Sequence, residues 1–271
     1  MNTRRFFSLG IRIGISVFLI WFLVANVDTS SLVSAIRSVS PTTILAAALL
    51  LLLNVFLNSI RWKLILQKTD IESGVGKLFL LNLANFFYGF ALPGGKMSAD
   101  VVRTYHLARI TADGTEHVPT RAILGSVLDR AVGVLSFGLM AAVILGFGWG
   151  SVMPVDSLSR TLLALSLVVS GAGLIGFFTP FLDPLLRALQ GIPGFVKRSS
   201  QFVLEALTAY RREPGTLLLS LLVSIAANVV AALSLLIFSS ALSLPLSFPA
   251  LLLFYAIAIL TTYVPITVGG I

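Results

Sequence analysis

The stretch FFYGFALPGGKMSADVVR, residues 86–103, decides how this chain folds. An apolar run arrives at Pro93-Gly94-Gly95 and is followed by Lys96, Asp100 and Arg103. Proline has no amide hydrogen and glycine loses the most backbone freedom on ordering, so a helix is expected to stop here. The run before the break, 78–92, is short of the ~20 residues that cross a bilayer. A span that stops early and then delivers three charges must be neither plainly in lipid nor plainly in water.

Outward from that stretch, lipid is the solvent. Of the 271 residues, 57% are hydrophobic and 11% charged, with a mean hydropathy of +0.99. A soluble domain carries about 25% charged residues, so this composition cannot clothe one. The apolar runs are continuous, whereas a β-barrel strand would alternate. The fold class is therefore all-α: a polytopic transmembrane helical bundle with re-entrant hairpins. Spans are predicted at 6–25, 41–60, 78–92, 122–149, 161–182, 216–242 and 249–268. The N-terminus has a basic start and an apolar core, as a signal peptide does. No A-x-A site follows, and we read it as a retained first helix. With no cysteine, disulfides, thiolate metal sites and cysteine nucleophiles are excluded. The net charge of +8 sits in short loops between spans, the pattern of membrane orientation and anionic-lipid contact rather than of nucleic-acid binding.

Counting cations orients the bundle. Let the N-terminus be cytoplasmic and 78–108 enter and leave on one side. Then Arg4, Arg5, Arg61, Lys63, Lys68, Lys77, Arg109, Arg121, Arg187, Lys197, Arg198, Arg211 and Arg212 face the cytoplasm, and only Arg37 and Arg160 lie outside. A full crossing at 78–92 without return would expose Arg187–Arg212 externally. Charge and length thus agree on a re-entrant segment, and the expected location is the plasma (inner) membrane with the N-terminus cytoplasmic. The cytoplasmic loop 183–215 places Phe195, Phe202, Val203, Leu207 and Tyr210 near helical spacing. It reads either as an interfacial amphipathic helix or as a solvated helix packed under the bundle.

The final span, ALLLFYAIAILTTYVPITVGGI, repeats the plan of the first hairpin, with Pro265 and Gly269-Gly270 at its break. Two Pro/Gly-broken spans in corresponding halves mark an inverted repeat, here 41–149 and a partial 216–271. The whole of 1–271 is then a single transmembrane domain. A returning half-helix and a last span are expected beyond Ile271.

Charges within spans carry the function. Each costs roughly 2.5–3.5 kcal/mol at the centre of a lipid-facing helix. Lys96, Asp100, Arg103, Asp129 and Arg130 must therefore face an interior or the headgroups. Lys96, Asp100 and Arg103 can share one face of a returning helix. Asp129 and Arg130 point about 100° apart and need different partners. One reading is a buried ionic network that holds the hairpin; the other is an anion cavity in which Lys96, Arg103, Arg130 and amides near Gly94-Gly95 meet a phosphate headgroup. The two are compatible. Asn54, Asn58, Asn82, Asn85, Tyr88 and Asn228 either bond between helices or line that cavity. GAGLIG at 171–176 lies inside an apolar span, not at a strand-to-helix turn, and GGKMS lacks the spacing of a phosphate loop. Gly10-x-x-x-Gly14 is a close-packing spacing compatible with a homo-oligomer. His106 and His117 lack companions for a metal, and no cofactor is expected.

ALPGGKMSADVVRTYHLAR resembles the first signature of the lysylphosphatidylglycerol synthase transmembrane-region family, on Leu92, Pro93, Gly94, Asp100, Val101, Val102 and Arg103. SVLDRAVGVL, with Asp129 and Arg130, is similar to the second, and VPITVGGI to the third, which normally runs on to a Glu. Ser98 and Ala99 stand where glycines are common. The resemblance implies translocation of a phospholipid, often aminoacylated, or of another lipid-linked headgroup between leaflets. The soluble aminoacyltransferase domain of the best-known members is absent from this chain, so lipid synthesis is not expected of it. We read an energy-independent lipid translocator, with membrane lipid as its partner. The rivals are an integral-membrane transferase using a lipid-linked donor, with Asp100 or Asp129 as base, and a scaffold for a separate lipid synthase.

Overall fold

The computed structural model describes residues 39–69, 71–92, 95–111, 118–152, 179–192, 195–212, 214–244 and 246–261, with isolated positions within 18–37 and 168–175. Eight α-helices cover them: α1 Pro41–Leu66, α2 Val75–Ala91, α3 Gly95–Ile110, α4 Val118–Val152, α5 Asp183–Leu189, α6 Phe195–Arg212, α7 Pro214–Ala241 and α8 Phe248–Thr261. No strand occurs among the described residues. Three helices are long and apolar enough to cross a membrane: α1 continued to Thr69, the first part of α4 to Met140, and α7. The predicted spans 6–25 and 161–182 lie almost wholly outside the described residues, as do the breaks at Pro93, Gly94, Pro265, Gly269 and Gly270.

Burial is inverted relative to a soluble bundle. Along α1, Asn54, Ser59 and Arg61 are buried while Ile44, Leu45 and Leu49 are more than half exposed. The buried positions 54, 55, 59, 61, 62, 65 and 66 trace one stripe at helical period, and leucines fill the other face. α7 repeats the arrangement, with Ser220, Ser224 and Asn228 inside and Leu218, Leu219 and Leu222 outside. Polar groups have no water to bond in hydrocarbon and must find one another, whereas leucine is at home in it.

The chain forms two compact units. The first takes Asn82–Arg103 and the chain from Val230, together with the segment up to Leu52. It contains α8 and the facing parts of α2 and α3. Ser243, with φ of 55°, turns the chain after α7, and the Ser239 hydroxyl donates to the Leu244 carbonyl there.

The second unit is Leu53–Leu81 with Thr104–Val229. One apolar cluster joins Ile65 of α1, Leu124, Leu128, Val132 and Leu135 of α4, Leu207 of α6, and Leu217 and Leu221 of α7. A second joins Trp62 and Leu66 of α1, Leu78 of α2, Leu107 of α3 and Ala122 of α4. In that cluster the end of α1, the start of α2, the end of α3 and the start of α4 all meet. The start of α2 and the end of α3 therefore share one apolar cluster. The segment 183–215 contains the helix expected near 195–210, seated on the bundle through Leu207 and Val203. Arg211 clamps it to α5 by donating to both oxygens of Asp183, at 2.8 and 3.0 Å.

Candidate functional site: a charged hairpin and a polar seam

The hairpin is built by two pairs one helical turn apart. Asn82 and Asn85 stand on α2, Asp100 and Arg103 on α3. Arg103 Nη1 donates to Asn82 Oδ1 at 2.6 Å, and Asn85 Nδ2 donates to Asp100 Oδ1 at 3.1 Å. Both pairs are centred on the Leu92–Pro93 bond, so the helices are antiparallel and in register about the turn. Arg103 Nε lies 4.0 Å from Asp100 Oδ1. The turn closes where Gly95, at φ of 56°, donates its amide to the Leu92 carbonyl. An L side chain in that left-handed conformation costs roughly 1–2 kcal/mol. Arg103 is 4% exposed, and Lys96, just past the turn, is half-buried. A guanidinium presents planar paired donors that match phosphate oxygens better than an ammonium does. Its carboxylate and amide neighbours fix where that plane stands.

A second polar array runs through α1, α4 and α7. Arg61 Nε donates to Asp129 Oδ1 at 2.8 Å, and its Nη1 donates to Ser224 Oγ at 2.7 Å. Ser224 Oγ donates to Ser136 Oγ at 2.8 Å, and Asn228 Nδ2 to the same oxygen at 3.0 Å. Asn54 Nδ2 donates to the Ala227 carbonyl at 2.7 Å. The three helices fit for crossing are thus tied by one buried chain of hydrogen bonds. Room for it comes from glycine: a methyl at Gly133 would lie 3.4 Å from Arg61 Nη1, and one at Gly125 only 2.6 Å from Leu66 Cδ2. Nearby, the Thr104 and Ser126 hydroxyls bond α3 to α4 at 2.7 Å. Among the described residues no three His, Asp or Glu side chains converge on a metal site.

A family model described as the lysylphosphatidylglycerol synthase TM region matches residues 9–271. The chain belongs to that family. Neither a curated protein nor a solved structure matches it. Family membership and the three long apolar helices make it a multi-pass membrane protein.

Among the family signatures read from sequence, Asp100 and Arg103 stand together on one face of α3. Asp129 is held by Arg61, which the span boundary at residue 60 had placed in a loop; α1 runs on to Leu66 and Arg61 is buried. Arg130 is half-buried beside it in sequence. Asn82 and Asn85 bond to charged groups of the opposite arm, and Asn54 and Asn228 bond between spans. Ser136 and Ser224 were not singled out, because a lone hydroxyl in an apolar run carries no signal by itself.

Proposed function

We propose that the chain is a lipid translocator, or the membrane module of one, that passes a phospholipid or other lipid-linked headgroup between leaflets. The observation that carries this reading is Arg103, buried halfway along a helical hairpin whose outer ends share one apolar cluster. At 1.5 Å per residue α2 reaches ~25 Å, short of the ~30 Å hydrocarbon core. The turn and its charges then fall inside the membrane, where only a protein-lined polar path tolerates them. In this reading Arg103, Lys96 and Arg130 draw the phosphate in. Asp100 and Asp129 hold those cations or meet a cationic headgroup, and the acyl chains stay in lipid.

The end where α1 finishes and α4 and α7 begin gathers Lys63, Lys68, Lys77, Arg109, Arg121, Arg187, Lys197, Arg211 and Arg212 by position in the chain. That excess supports a cytoplasmic placement of this end, and with it a cytoplasmic N-terminus in the plasma membrane. The transferase alternative would use Asp100 or Asp129 as base, and turnover of a lipid-linked donor distinguishes it. The test is leaflet exchange of labelled lipids of varied headgroup in proteoliposomes. Arg103→Ala is expected to abolish exchange while the protein keeps its elution profile and helicity. Normal exchange by that variant, or turnover of a lipid-linked donor by the parent, would overturn the assignment.

A further inference from the structure

The segment before α6 does not bury its large apolar residues. Phe181 is 75% exposed and Leu185 59%, four apart on the continuous helical stretch Pro180–Leu189. Ile192 and Val196 are exposed too. Cations are set among them: Arg187 and Lys197 are exposed, and Arg212 is exposed at the end of α6. Within 181–197 the one acid in the sequence, Asp183, pairs with Arg211.

The depth of this segment is fixed by its neighbours. α6 packs through Leu207 on Leu217 and Leu221, the first turns of α7, and on Ile65 at the end of α1. Only Glu213 separates Arg212 from Pro214, so α6 ends where a candidate span begins. The exposed residues therefore sit at the level where helices leave hydrocarbon. Full aqueous exposure of Phe181 and Leu185 would be unfavourable, and burial in deep hydrocarbon would strip water from Arg187 and Lys197. The headgroup layer satisfies both kinds of side chain, and anionic lipid satisfies the cations best.

We infer that the exposed side chains of 181–192 and of Val196 and Lys197 form a docking surface for the anionic headgroup layer of the surrounding bilayer. Phe181, Leu185, Ile192 and Val196 enter the acyl boundary, and Arg187 and Lys197 contact lipid phosphates. The inference is independent of what the hairpin carries.

The absence of cysteine makes the test direct. Phe181→Cys and Leu185→Cys, each in the full chain, are labelled with an environment-sensitive fluorophore and reconstituted in vesicles of phosphatidylcholine alone or mixed with phosphatidylglycerol. In the mixed vesicles emission should shift to the blue. A quencher carried near the lipid headgroup should then quench more strongly than one carried deep in the acyl chain, and aqueous iodide should quench least. The paired substitution Arg187→Glu and Lys197→Glu should restore iodide quenching while the labelled protein keeps its elution profile. Iodide access in both membranes would overturn the inference and point to a soluble partner. So would equal lipid quenching with and without phosphatidylglycerol, or quenching strongest from the deep position.

Discussion

Arg61 and Asp129 show how one pair can set the terms for three helices. Neither charge could face lipid cheaply, and together they share a 2.8 Å bond with Ser224 closing the other side. Removing one member of a buried pair costs about 3–5 kcal/mol, because its partner is left charged in a medium that cannot solvate it. Asp129→Leu is therefore expected to lower the thermal midpoint in detergent strongly. Arg61→Met combined with Asp129→Leu should recover most of the loss, since an apolar pair leaves no orphan charge. A double variant as unstable as the single one would show that shape, not charge, dominates. At Gly125 the constraint is steric: a methyl there meets the fully buried Leu66. Gly125→Ala should cost roughly 1–3 kcal/mol through overpacking, and Leu66→Val in the same chain should relieve part of it, read by the same melt.

Much of the hairpin was legible because its breakers are strong and local: Pro93-Gly94-Gly95 stops α2 wherever the rest of the chain goes. Arg61 was not legible in the same way. A cation at the edge of an apolar run either snorkels to the headgroups or turns inward, and its own sequence does not choose between them. The choice is made by Asp129, 68 residues away. A sign did exist in α4. GSVLDRAVG, residues 125–133, sets glycine four residues before and four after the aspartate, on one helix face. A bare acid flanked by small residues is a face shaped to receive a bulky cation. Likewise Ser220, Ser224 and Asn228 on α7 are four apart, a spacing that reads as a small-residue contact stripe only when taken together.

At the scale of elements, the proposed re-entrant path rests on α2 and α3, whose outer ends share one apolar cluster. Lys77, before the hairpin, and Arg109, after it, are both exposed. Cysteines placed there one at a time should react with a membrane-impermeant reagent from the same side in sealed vesicles. Labelling from opposite sides would contradict the hairpin. Gly95 is the hinge on which the register depends. Its left-handed backbone brings Asn82 opposite Arg103, so Gly95→Val should disturb that pair as well as the turn. If the proposed function holds, the expected result is loss of lipid exchange together with a lowered thermal midpoint, since the turn alone costs roughly 1–2 kcal/mol.

For the whole molecule, the inverted burial explains why composition alone announced the class. Among the described residues the exposed faces are apolar because hydrocarbon is their solvent, and buried polar groups act beside the apolar clusters in choosing which helices pair. The helices themselves followed from hydropathy, whereas the partners of Asn54, Arg61 and Asn228 depended on which spans become neighbours. The repeat relation between 41–149 and 216–271 remains our proposal; its second break lies beyond Thr261, outside the described residues.

The Arg61–Asp129–Ser224 bond also dictates an order of birth. Synthesis runs at about 5–20 residues per second, so Asp129 emerges some seconds after Arg61, and Ser224, 163 residues on from Arg61, later still. During that interval α1 is an unfinished partner. Its guanidinium, near the end of the helix, can wait among headgroups, but the helix cannot settle until α4 slides in beside it.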